Sequence, residues 1–469
     1  MKLVWLRNDV RRLDNPALFY ASEAQQGVTV VVTLTPEQWQ QHQDSPLRWA
    51  LWRDQLNSLL PQLAELNIGF RVLQLHSYDQ VADGLLALAQ SLQADALYFN
   101  YEYPLNERRR DRQVCEQLEA AGIQCQGYHG ELVLAPGQVV TGQGGMFKVF
   151  TPFSRSWRQV YLQQLPEPLG IPAIQPDKPE QEPLPDDLGW TALSADQTAG
   201  HYCIHTWPVG EASVHQRLAG FVQQAEADYA SRRDFPAIPG TSRLSPYLAI
   251  GAVSPRQCVQ ALKSASPDER WLSSVWLNEL IWREFYRHLL VAWPGLSRLE
   301  PFRPEVDARI SWQHNPAGFD AWCRGETGFP IVDAAMKQLL ATGWMHNRLR
   351  MVVASFLTKL LRVDWRLGAA FFMEHLLDGD FASNSGGWQW AASVGADAAP
   401  YFRIFNPQLQ SEKFDPDGRF LATWLPELAA LPVRQRHLPG AGQSLGRPAP
   451  IIDYKAARQA ALDDYQQDR

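Results

Sequence analysis

The chain has little cysteine, no long apolar run and no strong net charge. Its five cysteines (Cys115, Cys125, Cys203, Cys258 and Cys323) are odd in number, widely spaced and never paired as C-x-x-C. That argues against a disulfide scaffold and for a reducing, cytoplasmic setting. No hydrophobic stretch reaches the roughly 18 residues that a membrane span needs. Leu3-Val4-Trp5-Leu6-Arg7 meets a charge too early to be a secretory signal. No G-x-G-x-x-G follows that first strand-like run, so an ordinary dinucleotide-binding reading is weak. A net charge of −7 argues against general affinity for nucleic acid and leaves room for a local basic groove. His201-Tyr202-Cys203-Ile204-His205 has ligand-like spacing but no further ligands nearby, so no metal is expected.

Tryptophan, by contrast, is abundant. There are 18, and 11 of them lie between Trp271 and Trp424. Residues 1–130 alternate β-rich runs with helical patterns. The expected strands are Leu3–Arg7, Val28–Leu34, Phe70–Leu75, Ala96–Tyr101 and Ile123–Gly127. Helices are expected at Leu47–Leu66, Tyr78–Gln93 and Glu107–Ala121. Such alternation predicts an α/β domain with a parallel, Rossmann-like sheet. Seven prolines between Pro166 and Pro185 break the pattern, and residues 131–208 read as a long interdomain connector. Residues 209–469 read as almost wholly helical, most clearly at Leu272–Trp293, Ile331–Leu340, Asn347–Leu361 and Leu367–Leu377.

The densest chemistry is Asp378-Gly379-Asp380-Phe381-Ala382-Ser383-Asn384-Ser385-Gly386-Gly387-Trp388-Gln389-Trp390. Glycines admit close approach to a flat ligand, carboxylates and an amide supply fixed polar partners, and indoles supply π surface. Upstream stands Trp344-Met345-His346-Asn347-Arg348-Leu349-Arg350-Met351. Together these segments closely resemble the flavin-binding core of the DNA photolyase/cryptochrome family, nearest to bacterial class I enzymes that repair cyclobutane pyrimidine dimers. The resemblance runs from Leu3 to the final helix and includes the loop Asn8-Asp9-Val10-Arg11-Arg12-Leu13-Asp14.

The resemblance implies a mostly α-helical C-terminal FAD-binding domain. Thr241-Ser242-Arg243-Leu244-Ser245 matches the flavin phosphate loop; hydroxyls and free N–H groups at a helix start suit a pyrophosphate. Tyr229 and Trp276 match further flavin contacts. Asp378, Gly379 and Asp380 match the isoalloxazine and ribose side, Arg350 the partner of the first carboxylate, and Asn384 the residue facing the flavin N5. On local sequence alone, Asn384 could instead end a helix before the glycine pair. Trp312, Trp365 and Trp388 match the electron-transfer triad that serves photoreduction.

For DNA, Glu279 and Trp282 share a helical face and match residues that hydrogen-bond and stack on a flipped dimer; photolyases as a class flip their target bases. Trp390 matches the opposite wall of that pocket. Asn347 and Met351 occupy positions where the related (6-4) photolyases carry two histidines, and an amide and a thioether cannot shuttle a proton. Arg233 and Arg348 match DNA contacts, and Arg403 and Lys413 read as further phosphate contacts. The run Arg108-Arg109-Arg110-Asp111-Arg112 reads as a solvated helix face.

A second, antenna chromophore is also implied. Asn106 and Glu107 match a folate-contact segment, while Ser297-Arg298 stands where folate-binding relatives carry Cys-Lys. A methenyltetrahydrofolate antenna is therefore expected, with Arg298 meeting the glutamate tail; a deazaflavin, a second flavin or an empty site is the alternative. The expected function is light-driven repair of cyclobutane pyrimidine dimers by a cytoplasmic monomer without a membrane or an obligate protein partner. A cryptochrome photoreceptor is the main alternative, and only 45 residues follow Trp424, with no long polar signalling tail. A flavoprotein oxidoreductase would need a nicotinamide fingerprint that the sequence does not show.

Overall fold

The computed structural model describes residues 1–189, 204–266 and 268–466. The chain divides into two compact units. Of the described residues, one gathers 1–189, 204–226, 242–266 and 268–297; the other gathers 227–241 and 298–466.

The first unit is built on five parallel strands: β1 (Lys2–Leu6), β2 (Val28–Leu34), β3 (Gly69–Gln74), β4 (Ala96–Asn100) and β5 (Gln124–Tyr128), ordered β3-β2-β1-β4-β5. Central strands are covered on both faces, which suits the near-continuous Val28-Thr29-Val30-Val31-Val32. The order reverses between β1 and β4, which marks the carboxyl ends of these strands as a place for polar groups. The cluster there is buried. Asp9 Oδ1 accepts from the Arg7 N–H at 2.7 Å, and Asn100 Nδ2 donates to Asp9 Oδ2 at 2.6 Å and to Asn15 Oδ1 at 2.8 Å.

Helix α1 (Leu105–Ala120) follows β4. Its arginine run is not wholly a solvated face. Arg110 and Asp111 are buried, Arg110 Nη2 donates to Glu102 Oε2 and Asp111 Oδ1 at 2.7 Å each, and its guanidinium sits 4.6 Å from the Trp5 ring centre. The helical period turns these two inward while Arg109 and Arg112 stay exposed.

The expected connector is not irregular throughout. Phe150–Gln164 forms helix α2. The proline-rich stretch beyond it covers the β3 edge: Phe70 N–H donates to Glu180 O at 3.2 Å and Glu182 N–H to Phe70 O at 3.0 Å. A covered edge cannot template pairing with another chain. The unit is completed by helices that include α3 (Val275–Ala292), whose first turn is capped by Ser274 Oγ accepting from the Trp276 and Leu277 N–H groups. Residues 242–297 thus group with the sheet, although the sequence places them with the helical region.

The second unit is helical. Helix α4 (Pro330–Thr342) opens on a proline and stops at Gly343, whose φ of +67° suits a residue without Cβ. It is followed by α5 (Asn347–Ser355), α6 (Trp365–His375) and α7 (Phe381–Ala391). Trp322, Phe329, Phe356, Trp365, Phe372 and Trp388 share one buried core. No helix among the described residues is long and apolar enough to cross a membrane.

Candidate functional site

In the helical unit, the loop between α6 and α7 carries the two carboxylates. Arg350, on α5, donates from Nη2 to both oxygens of Asp378 at 2.9 and 2.8 Å and from Nε to the Met345 carbonyl at 2.8 Å. Asp378 is buried, so its charge is organised by this guanidinium. Asp380 caps α7 by accepting from the Ser383 N–H at 2.9 Å. Asn384 therefore lies inside α7 and does not end a helix; its NH₂ donates to the Ala369 carbonyl of α6 at 2.9 Å. Gly379 sits where a Cβ would lie 3.2 Å from the Leu376 carbonyl.

Trp388 and Trp365 are buried in the shared core, and half-buried Trp312 packs against it. Trp365 Nε1 donates to Asp307 Oδ1 at 3.3 Å, whereas Trp312 Nε1 is buried with no protein partner. The ring neighbours of Trp388 are Phe372 at 5.0 Å and Trp322 at 6.0 Å between centroids. Trp388 also presses on backbone: a Cβ on Gly368 would fall inside its indole, which explains that glycine in mid-helix. Sequence reading missed Trp322, since nothing local separates it from an ordinary core residue.

On α5, Asn347 is exposed and Met351 half-buried, one turn apart. Arg348 between them pairs with Asp234 at 2.8 Å and lies 4.5 Å from the Phe414 ring centre. Arg233 sits 5.7 Å from the ring of buried Tyr229. Trp390 is half-buried, and Arg403 and Lys413 are exposed. Thr241 ends a segment of this unit.

The sheet unit holds the remaining residues. Ser242 Oγ accepts from the Leu244 N–H at 3.4 Å, and Arg243 adopts φ +51°. Burial lowers the Arg243 pKa, as does Arg217 nearby. The helix that starts at Ser245 runs only to Ala249. On α3, Trp276 is buried, with Phe221 edge-on at 5.0 Å, and Glu279 and Trp282 are half-buried. Phe150 of α2 stacks on Trp282 at 3.8 Å and 7°, which braces that indole from one side. One turn from Leu280, Glu284 is fully enclosed. It accepts from the N–H groups of Val133 (2.8 Å) and Leu134 (3.0 Å) and from Trp157 Nε1 (2.6 Å), and burial pushes its pKa up to about 7. These braces come from segments over 100 residues away, so no local pattern could have named them.

Glu107 lies at the start of α1. Its Oε1 accepts from the Tyr78 hydroxyl at 3.2 Å and stands 3.5 Å from His42 Nδ1. Its Oε2 is buried with no protein partner, and burial raises its pKa. Asn106 Nδ2 lies 3.0 Å from His42 Nε2. Ser297 Oγ accepts from the Leu105 N–H at 3.1 Å and so fixes the start of α1. In the helical unit, Arg298 is exposed and pairs with Glu300 at 2.8 Å. Among the described residues, no group of three His, Cys, Asp or Glu side chains could hold a metal; His201 and Cys203 lie outside them.

The model for "DNA photolyase" matches residues 2–170, and that for "FAD binding domain of DNA photolyase" matches residues 276–467. The chain is 45% identical over 472 residues to the deoxyribodipyrimidine photo-lyase of Salmonella typhimurium, covering 99% of this chain and 98% of that protein. Among solved structures it is similar to a class III photolyase of Agrobacterium tumefaciens, with a TM-score of 0.85, 34% identity, and coverage of 99% of this chain and 96% of that one. It is also similar to a cryptochrome of Synechocystis, with a TM-score of 0.84, 27% identity, and coverage of 99% and 98%.

Proposed function

The chain belongs to the DNA photolyase/cryptochrome family, and on that premise we propose that it is a carbon–carbon lyase reversing cyclobutane pyrimidine dimers in DNA by light-driven electron transfer. The fold does not separate repair from signalling, because photolyase and cryptochrome structures resemble it almost equally. The observation that carries the choice of substrate is the face of α5 where Asn347 and Met351 stand one turn apart. Neither side chain can move a proton, which dimer splitting does not require of them.

The residues present fit FAD. Arg350, Asp378 and Asp380 are held by one another and by the α7 start, and Asn384 is oriented by Ala369. With Tyr229, Thr241, Ser242, Arg243, Leu244, Ser245, Trp276 and Gly379, these would hold the cofactor. When bound and reduced, FAD would supply the light-driven electron chemistry for dimer splitting, with no net redox change. Glu279 would hydrogen-bond the dimer's base edge, and Trp282 and Trp390 would stack on the extruded bases, a contact worth about 1–3 kcal/mol per base. Arg233, Arg348 and Arg403 would meet phosphates, with Arg348 shared with Asp234. Trp388, Trp365 and Trp312 would relay an electron inward from solvent.

For the antenna we take methenyltetrahydrofolate. Its support is the unpaired Oε2 of Glu107, a carboxylate able to accept from a pterin's N–H groups. Asn106 and Arg298 would complete that set, Arg298 after release from Glu300. A deazaflavin or a second flavin is the competitor. We further take the enzyme to be a cytoplasmic monomer that needs no protein partner.

The test is direct. Purified protein given oligothymidylate dimers should restore thymidines in light and not in darkness. It should leave (6-4) photoproducts intact, and efficient repair of that lesion would overturn the assignment. Trp388→Phe should block photoreduction of oxidised flavin while already reduced enzyme still repairs; photoreduction at the wild-type rate would remove Trp388 from the relay.

A further inference from the structure

Lys359 is a fully buried lysine in the core of the helical unit. It lies where the chain after α5 widens by one residue: Leu361 N–H donates to Phe356 O at 2.9 Å, an i to i+5 bond. Such widened turns are rare and concentrate at functional sites. The ammonium is met by four acceptors from one loop: Ser393 Oγ at 2.9 Å and the carbonyls of Arg403 (3.2 Å), Tyr401 (3.3 Å) and Pro400 (3.5 Å). The Tyr465 ring centre lies 5.6 Å away.

This is a costly arrangement for stability alone, since a buried charge is tolerated only when fully hydrogen-bonded. Burial, with the Arg403 charge nearby, lowers the lysine's pKa to about 7. The loop it holds bends sharply: Ser393 and Asp397 adopt φ of +67° and +48°, conformations that side chains disfavour. The loop's outer side presents Phe402, 61% exposed, beside exposed Arg403. Inward-turned carbonyls and an outward-turned arginine on the same residues mean that fixing the first fixes the base of the second.

We propose that Lys359 is a positioning residue for DNA recognition, clamping the Pro400–Arg403 backbone so that Arg403 is presented ready-formed to a phosphate. This rests on the repair reading given above. Preorganisation of a contact shows mainly in affinity, so its loss should weaken binding and spare the light-driven step.

The experiment compares flavin-loaded wild type with Lys359→Met at pH 6.5. Three readouts are taken: dark binding to a dimer-containing duplex by fluorescence anisotropy, repair turnover at saturating DNA, and deuterium uptake of residues 399–404. The variant should bind roughly tenfold more weakly, keep turnover within about twofold and exchange faster in that segment. In an Arg403→Ala background, Lys359→Met should weaken binding by less than about twofold, because the arginine it positions is gone. Unchanged affinity or unchanged exchange in a flavin-loaded variant would overturn the proposal, as would full additivity with Arg403→Ala. Should Lys359→Met fail to retain flavin, Ser393→Ala removes only the nearest acceptor. It should weaken binding about threefold with the same exchange signature, and wild-type behaviour there would overturn the clamp. Wild-type enzyme that binds no dimer DNA would sink the repair reading and the DNA role together, whereas the exchange comparison decides the clamp independently.

Discussion

Asp378 in the helical unit and Glu107 in the sheet unit are both largely buried carboxylates in proposed cofactor sites, and they are satisfied in opposite ways. Asp378 has both oxygens on one guanidinium at 2.8–2.9 Å. Glu107 has one oxygen on a phenol and a nearby imidazole, and the other on nothing in the protein. Glu284, on α3, is a third case: three donors, all neutral. The difference teaches what each group is prepared for. A carboxylate closed on arginine is a finished structural unit that presents a fixed charge distribution. One held by neutral donors sits close to its protonation limit. One with an orphaned oxygen keeps hydrogen-bonding capacity for a ligand.

The strongest way to break the first member of the set is Arg350→Ala. Asp378 would then be buried without its counter-charge, a change that costs about 3 kcal/mol when a buried pair is broken from one side. The variant should lose thermal stability and purify with little FAD. Arg350→Lys should recover stability in part but not flavin, because a single ammonium cannot reproduce the Nε and Nη2 contacts. Normal flavin content in Arg350→Ala would show that the pair is not part of the cofactor site.

Glu284 should show its neutral company through pH. Its folded pKa of about 7 stands above the ordinary 4.5, so the folded state holds the proton more tightly than the unfolded chain. The contribution of this group is therefore greatest below pH 4.5, falls as pH rises toward about 7, and is level above that. Chemical denaturation of wild type and Glu284→Gln from pH 4.5 to 8 should show the wild-type advantage shrinking by up to about 3 kcal/mol. A difference that does not vary with pH would mean that the carboxyl is ionised throughout.

These contrasts also mark how far the sequence could be read. The five strands lie within a residue of their expected bounds, because short runs between turn residues alternate with helical patterns as a parallel sheet requires, and Val28–Leu34 is β-branched almost throughout. The Asp378–Trp390 motif and the aromatic face of α3 stand out because their residue types have few other uses together, whereas Thr241–Ser245 reads locally as a plain helix cap and only the resemblance marks it for a phosphate. Helix α2 was hidden in a connector whose prolines dominate its second half. Arg110 was hidden because a charge run looks alike whether its helix is solvated or half-inserted. The local alternative for Asn384, a helix stop beside two glycines, fails because α7 runs through them: Asp380 caps it and Trp388 packs on Gly368. Phe150 behind Trp282, Asp234 beside Arg348 and the carbonyl ring around Lys359 are long-range contacts, and no window of sequence carries them.

The smallest effect on the fold, and the sharpest on ligand, should come from Glu107→Ala. Removing a side chain whose Oε2 has no partner forfeits the hydrogen bond from Tyr78 and the contact with His42, and relieves one unsatisfied buried oxygen. The two nearly cancel, so stability should change by no more than about 0.5–1 kcal/mol. Burial raises the pKa of Glu107, so in wild type a ligand that donates N–H groups should bind more weakly as pH falls through that raised value and the acceptor is protonated. The variant should lose this pH dependence together with the near-UV absorption of bound methenyltetrahydrofolate, while FAD content and dimer repair persist at lower light efficiency. Glu107→Gln separates charge from shape: an amide keeps one acceptor but cannot titrate, so residual folate binding should be independent of pH. Titration of wild type with excess folate, read by the near-UV band and by energy transfer to FAD, is the measurement. If neither signal appears while a deazaflavin or a second flavin gives both, the orphaned oxygen serves a different chromophore and the folate assignment fails, with the contrast between the two carboxylates left standing.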